Sequence, residues 1–324
     1  MTDIVANDAD RQESERREFL SEAIAGLADH PRRVPGKFLW DETGSILFDR
    51  ICDDPDYYPT AHERALMPGA LRDIAGLVGP GATIVEFGSG ASRKIRALLD
   101  SLARPARYIA VDISRDYLHA SVARLAPDYP HIAMTAVCAD YSRPFRLPEA
   151  PGDGPVLGFF PGTTIGNFAP AEAEAFLKRI RDALGPSWLM IGADPNRDEA
   201  RLLQAYGGCG GLMGAFHLNL LTRMSRELGA VFDREAFRHQ ARVLDDPFRV
   251  EAHLVAHRAT KAQLGDQVIA FTAGEGFRTD VSHKYSVEAF RSLAVQAGWE
   301  SAAQWIDRNG LFSMHLLRSD AGMR

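Results

Sequence analysis

The run Ile84-Val85-Glu86-Phe87-Gly88-Ser89-Gly90, followed by a helix-forming stretch and then by Tyr108-Ile109-Ala110-Val111-Asp112, constrains this chain more than any other segment. An apolar strand that breaks into a Gly-Ser-Gly turn, enters a helix and reaches a second apolar strand is a βαβ unit, whose sheet needs helices on both faces. The glycines let a ligand approach the backbone closely. An acidic residue ending the second strand stands where it binds a ribose.

Two ligand classes use such a turn. A nicotinamide dinucleotide needs a third glycine for packing of the helix against the pyrophosphate site, and this turn continues as Ala91-Ser92 instead. Glu86, just before the glycines, repels a pyrophosphate but suits a cationic amino-acid moiety. The balance favours S-adenosylmethionine, with a dinucleotide left open on the motif alone. Asp112 is the ribose candidate, although an Asp there also reads as a cap. Asp140 and Tyr141, after the next strand, are placed for the adenine amino group and for stacking near the ring, and Asp140 too has the position of a common cap. Lys94 can meet the cofactor carboxylate near the helix N-terminus, but on spacing alone it reads as an exposed helix lysine. The cofactor set is therefore Glu86, Gly88, Gly90, Lys94, Asp112, Asp140 and Tyr141.

A chain of 324 residues can bury a large core as two domains or one elaborated domain. Its formal charge of -6 gives no electrostatic reason to expect nucleic acid or an anionic membrane as partner, and a small-molecule substrate fits better. Cys52, Cys138 and Cys209 are too scattered for a zinc cluster or a disulfide framework, and Cys138, in an apolar run, is expected to be buried. The polar start lacks the apolar core of a signal peptide, and no window reaches the roughly 18 apolar residues of a membrane span. The default expectation is a monomer in a reducing cytoplasm, with no metal.

The first dozen residues read as disordered, and Phe19, Leu20, Ala23, Ile24 and Leu27 then form one face of a helix that ends at His30-Pro31. Pro35 to Thr60, rich in aromatics, Gly and Pro without a sustained period, reads as a ligand-covering loop. Strands are expected near 83–87, 107–111, 132–138, 155–160 and 187–193, with helices around 92–103, 115–126 and 170–184 between them. That alternation predicts an α/β fold, a class I (Rossmann-like) methyltransferase sheet, with a second α+β subdomain that binds substrate. Strand-like runs near 248–258 and 267–272 read as an antiparallel pair, and Val287 to Gly298 and Leu311 to Leu317 read as a helix and strand returning to the first sheet. The resulting division is 1–60, an N-terminal helix and covering segment; 61–195, the cofactor-binding core; 196–286, an inserted subdomain that caps the core together with the N-terminal segment; and 287–324, the return to the core.

On the acceptor side, Phe160-Pro-Gly-Thr-Thr-Ile-Gly-Asn167 follows a buried strand with two glycines and three small polar side chains, and Asn167 can both donate and accept. At this point the chain resembles the histidine Nα-methyltransferases of ergothioneine biosynthesis. The likeness runs from about Pro35 to the C-terminus. It is carried by Trp40-Asp-Glu-Thr-Gly-Ser-Ile-Leu-Phe-Asp49, Pro55-Asp-Tyr-Tyr-Pro-Thr60, Glu86-Phe-Gly-Ser-Gly90, Gly162-Thr-Thr-Ile-Gly-Asn167, Tyr206 and Asp280-Val-Ser282. The resemblance implies that Tyr57 contacts an imidazole, that Asn167 and Tyr206 hold the amino-acid backbone, and that Asp280 and Ser282 bind the ring. Those first three form the catalytic group, and Trp40, Phe48, Gly162, Thr164 and Ala252 complete the substrate set. The family usually carries Glu where Asp280 stands, tyrosine where Trp40 stands and a larger methionine where Ala252 stands, so this ring pocket is expected to be wider.

The implied reaction is threefold methylation of the α-amine of L-histidine to its betaine, hercynine. The ring faces of Tyr57, Phe48 and Trp40 would each stabilise the permanent cation by roughly 0.5–2 kcal/mol. Tryptophan, tyrosine or a modified histidine is the nearest alternative acceptor. An oxidoreductase and a non-catalytic binding protein stand further off. His253 and His257 lack a carboxylate in the right relation for a metal, and Ser282-His283 lacks the nucleophile elbow of a hydrolase.

Overall fold

The computed structural model describes residues 2–89, 93–148 and 154–320. In chain order the elements are α1 (Thr2–Ala28), α2 (Glu42–Cys52), α3 (Tyr58–Val78), β1 (Thr83–Phe87), α4 (Arg93–Ser101), β2 (Arg107–Asp112), α5 (Arg115–Leu125), β3 (Ala133–Cys138) and β4 (Val156–Phe160). There follow α6 (Pro170–Leu184), β5 (Ser187–Ala193), α7 (Glu199–Gly207), α8 (Leu212–Leu228), β6 (Val231–Phe232), β7 (Phe237–Asp245), β8 (Phe248–Ala256), β9 (Thr260–Leu264) and β10 (Gln267–Phe271). The chain closes with β11 (Gly276–His283), α9 (Val287–Gln296), β12 (Glu300–Ile306) and β13 (Ser313–Ser319). Two compact units result: Cys52–Glu199 with Asp245–Arg249 and Ser282–Arg324, and Met1–Ile51 with Ala200–Leu244 and Val250–Val281.

The larger unit holds a seven-stranded sheet in the order β12-β13-β5-β4-β1-β2-β3. Its strands β1 to β5 run parallel, whereas β13 pairs antiparallel with β5 and β12 antiparallel with β13. This is the mixed sheet of class I methyltransferases. Alternating strand residues divide between two cores, as the pleat requires. Ile84, Tyr108, Ala110, Leu157 and Phe159 pack with α3, α4 and α5 on one face, and Val85, Ile109, Val111, Phe160 and Leu189 pack with α6 and α9 on the other. Burial on both faces is why these strands read as near-continuous apolar runs. Strand order reverses between β1 and β4, and ligands of such sheets sit beyond the carboxyl ends at that crevice.

The smaller unit contains two three-stranded sheets, β10-β9-β6 and β11-β8-β7, with α1, α2, α7 and α8. Here the structure corrects the expected antiparallel pair. The 248–258 run and the 267–272 run lie in different sheets, because β9 intervenes and pairs with β10 through the tight Gly265-Asp266 turn, where Gly265 has φ 53°. Two further expectations change. Helix α1 begins at Thr2, so residues 2–12 are helical. The 35–60 segment is not an irregular loop. It forms a 3-10 turn over Gly36–Leu39 and then α2, opened by Asp41, which accepts from the backbone N–H of Gly44 at 2.8 Å. Its Phe38 stacks on Phe19 at 4.1 Å in the buried core of this unit.

Candidate active site

At the carboxyl end of β1, Glu86 is buried and accepts from the Tyr108 hydroxyl at 2.5 Å, while Ser89 Oγ lies 2.9 Å from the same hydroxyl. Burial raises Glu86 to about 7, although Tyr108, Ser89 and Lys94 pull the other way. Gly88 follows with φ 75°, and a Cβ built there would lie 3.3 Å from Tyr141 Oη, so the turn is open only to a bare backbone. The Tyr141 ring is held edge-on to Phe87, Phe160 and Phe176 at 6.3, 5.9 and 5.9 Å. Gly90 lies outside the described residues.

Asp112, at the end of β2, is raised to about 6 by burial, against the backbone bonds it accepts; its Oδ1 takes the Ser114 N–H at 2.8 Å. Asp140 accepts from the Ser142 N–H at 2.9 Å, so each of these carboxylates closes a local turn onto the backbone N–H two residues on, at or just past a strand end of the sheet, and neither caps a helix. A buried carboxyl beside an open glycine turn and a second carboxyl at the end of the next strand match a cationic amino acid joined to a ribose. These residues fit S-adenosylmethionine.

Lys94 is tied down. Its Nζ lies 2.5 Å from Glu63 Oε2, and Glu63 Oε1 accepts the Gly162 N–H at 2.6 Å. Burial works against the Lys94 charge, but the Glu63 carboxylate outweighs it and raises the lysine above its ordinary value. Glu63, buried on α3, thus links Lys94 to the turn after β4. In that turn Gly162 has φ 75°, Thr164 opens the 3-10 turn Thr164–Asn167, and Gly166 packs so closely on the end of β11 that a built Cβ would meet His283 O at 2.6 Å and Ser282 Oγ at 3.1 Å. The structure therefore brings Ser282 and the Gly162–Asn167 turn together. Tyr57, buried, stands immediately before α3.

Sequence reasoning missed the carboxylate that organises this end of the sheet. Asp194, one residue past β5, is buried against Tyr58 and Lys284. The Tyr-Tyr-Pro-Thr motif and the strand-end position were the available signals, but a period reports apolar faces and not which distant charges pair.

The smaller unit carries the remaining candidates. Trp40 and Phe48 meet edge to face at 5.0 Å, and both lie against Phe216, at 5.4 and 5.8 Å. Tyr206 is half-buried near the end of α7, and Ala252 is buried in β8. On β11, Asp280 lies beside Gly36: a Cβ built on Gly36 would sit 2.7 Å from Asp280 Oδ1. Thr279, which alternates with Asp280, donates or accepts at His217 Nδ1 over 2.8 Å and bonds the Ala252 carbonyl at 3.2 Å. His217 is buried and stacks on His239 at 4.5 Å; burial, then the neighbouring His239 and His253, lower it well below the ordinary histidine value.

Three smaller expectations need correcting or placing. His253 does have a carboxylate partner, Glu251 Oε2 at 2.9 Å, whose other oxygen takes Arg278 at 3.1 Å. Among the described residues no cluster of three or more His, Cys, Asp or Glu side chains could hold a metal. Cys138 is only half-buried, because β3 is an edge strand.

A family model described as "Histidine-specific methyltransferase, SAM-dependent" matches residues 19–319. The chain belongs to that family. It is an S-adenosylmethionine-dependent amino-acid N-methyltransferase of the histidine Nα-methyltransferase type, and the dinucleotide reading falls away. Relatives in the family include the histidine N-alpha-methyltransferases of Mycolicibacterium smegmatis, 36% identical with 90% of this chain and 92% of the relative covered, and of Mycobacterium tuberculosis, 34% identical with 91% and 93% covered. A more distant relative is the 4-dimethylallyltryptophan N-methyltransferase easF of Arthroderma benhamiae, 26% identical with 90% and 92% covered. Among the described residues no helix is long and apolar enough to cross a membrane.

Proposed function

We propose that this methyltransferase acts on the α-amine of L-histidine and adds three methyl groups, giving hercynine for ergothioneine biosynthesis. The observation that carries the reading is the alternation of Asp280 and Ser282 along β11, which gives one face of the strand a carboxylate acceptor followed by a hydroxyl. A neutral imidazole has one N–H donor and one bare nitrogen, so that pair matches it atom for atom. The histidine N-alpha-methyltransferase names of the two mycobacterial relatives support the same assignment.

When bound, S-adenosylmethionine supplies an electrophilic methyl group on a sulfonium. The chain's own residues then have to bind, orient and dry the acceptor, since in-line attack by a neutral amine draws its rate from positioning and from exclusion of water. In this reading Asn167 and Tyr206 hold the amino and carboxylate groups of the acceptor, and Tyr57 lies along its ring. Glu86 receives the cofactor amino group, Asp112 the ribose, and Asp140 with Tyr141 the adenine. Gly162 and Thr164 hold the turn that carries Asn167. The 1–60 and 196–286 segments are the acceptor-binding parts and 61–195 with 287–324 the cofactor-binding part.

A second acceptor is favoured by one specific observation. Ala252 and Asp280 are both smaller than the Met and Glu usual in the family, and one relative is named for a tryptophan derivative, so an indole amino acid is the competing substrate. Competition between histidine and tryptophan for one enzyme sample, read by mass spectrometry, decides between them: a histidine-selective enzyme supports the proposal and a tryptophan-selective one replaces it.

A further inference from the structure

One buried carboxylate of the larger unit joins the two turns that flank the crevice of its sheet. Glu63, in the second turn of α3, is 1% exposed. Its Oε2 lies 2.5 Å from Lys94 Nζ, and its Oε1 accepts the Gly162 N–H at 2.6 Å. Lys94 stands in the first turn of α4, after β1 and its glycine turn, and Gly162 lies two residues past β4. Strands β1 and β4 are paired neighbours and the strand order reverses between them, so Glu63 spans the place where such sheets take their ligands. The approach is close: a Cβ built on Gly162 would sit 3.3 Å from Lys94 Nζ. The pair is also unevenly buried. With 32% of the Lys94 side chain exposed against 1% of Glu63, the cation is the member that a ligand can reach.

An ammonium carries three protons, so Lys94 can bond a second anion while it stays paired with Glu63. The two carboxylate oxygens have different partners: one meets a side chain beside the glycine turn, the other a backbone N–H of the Gly162–Asn167 turn. A shift of either partner is passed to the other through one rigid planar group. We propose that Glu63 is a positioning residue that couples the donor and acceptor halves of the site, so that either ligand strengthens the binding of the other. The proposal rests on the readings that Lys94 meets the cofactor carboxylate and that Asn167 holds the acceptor. A cofactor carboxylate fixes Lys94, the ion pair fixes Glu63, and Glu63 fixes the backbone that leads to Asn167. The acceptor then meets a turn already set, and the ordering cost it would have borne is gone. Linkage makes the effect reciprocal, and such couplings run to roughly 5–150-fold. Desolvation of a buried ion pair largely offsets its attraction, so fold stability alone accounts poorly for Glu63 and Lys94.

Calorimetry with S-adenosylhomocysteine, which keeps the amino-acid carboxylate of the cofactor, reads the coupling without turnover. Its affinity is measured with and without saturating histidine, and that of histidine with and without saturating S-adenosylhomocysteine. In the wild type each ligand should tighten the other by the same factor, about tenfold. Glu63→Gln keeps an oxygen for the Gly162 N–H and loses the charge that holds Lys94. Both ligands should still bind to it, with the factor close to one. A purely structural role would weaken both ligands, or lower the thermal melt, and leave the factor as it was. An undiminished factor in Glu63→Gln, or no coupling in the wild type, overturns the proposal. Adding Lys94→Met to Glu63→Gln tests the reading beneath it. Weaker S-adenosylhomocysteine binding than in Glu63→Gln supports a cofactor contact at Lys94, and an unchanged affinity removes that contact and the proposal with it. Asn167→Ala tests the acceptor reading in the same way through the affinity for histidine. If Glu63→Gln does not fold, Glu63→Asp, which keeps the charge but is too short to span both partners, carries the same comparison.

Discussion

Tyr108 donates its hydroxyl proton to Glu86 across 2.5 Å, from one buried strand of the larger unit to its neighbour, and so holds a carboxyl group at the end of β1 that burial drives toward its neutral form. A cationic cofactor group needs that carboxyl ionised. Burial, opposed by the Tyr108 and Ser89 bonds and the Lys94 charge, sets how much ionisation is available near neutral pH.

Affinity for S-adenosylmethionine should therefore rise between pH 6 and 8, following an ionisation of Glu86 at about 7. Calorimetric titrations across that range check this, and a flat profile contradicts it. The stability effect has the opposite sign. The folded-state value lies above the ordinary 4.5, so between about 4.5 and 7 the folded protein keeps a proton that the unfolded chain has lost, and the contribution of Glu86 to stability falls as pH rises through that window. Glu86→Gln should abolish both trends and weaken cofactor binding.

Gly36→Ala should disturb acceptor binding without unfolding the chain. The added methyl would lie 2.7 Å from Asp280 Oδ1, and the end of a side chain gives way more cheaply than backbone. If Asp280 binds the ring, its displacement raises the histidine KM by roughly tenfold or more, since misplacement on the ångström scale is costly at a reactive site. Steady-state kinetics beside a thermal melt separate this from a loss of folding, which would move both together.

Restoring the larger side chains should sharpen selectivity. In an Asp280→Glu/Ala252→Met enzyme the ratio of kcat/KM for histidine over tryptophan is expected to increase about tenfold, within the ~1–3 kcal/mol that a methylene-scale difference in a pocket can supply. An unchanged ratio would show that these two positions do not size the ring pocket.

The last part of the chain completes the larger core. Trp299 is 1% exposed, and its indole N–H donates to the Leu177 carbonyl at 3.0 Å. Trp299→Ala should cost about 3–5 kcal/mol through the cavity left behind and the stranded carbonyl, read by denaturant unfolding.

The sequence made the parallel strands of the larger unit legible because both faces of β1, β2, β4 and β5 are buried, so each reads as an unbroken apolar run between turn residues. The strands β7 and β11 were harder to see. Phe237, His239, Ala241 and Val243 do alternate with Arg238, Gln240 and Arg242, but a period whose inward members include histidine and alanine is weak against a loop reading. The glycine turn and the strand-end carboxylates could be placed from chain position alone. Glu63 and Lys94, or Asp194 and Lys284, could not, because a buried ion pair between residues distant in the chain leaves no periodic trace.

The most direct measurement is a mass-spectrometric screen of the purified protein with S-adenosylmethionine and each of the twenty amino acids. The account predicts that histidine alone is carried efficiently through mono- and dimethylated species to the trimethylated betaine. Unmodified histidine alongside efficient methylation of another amino acid would contradict it.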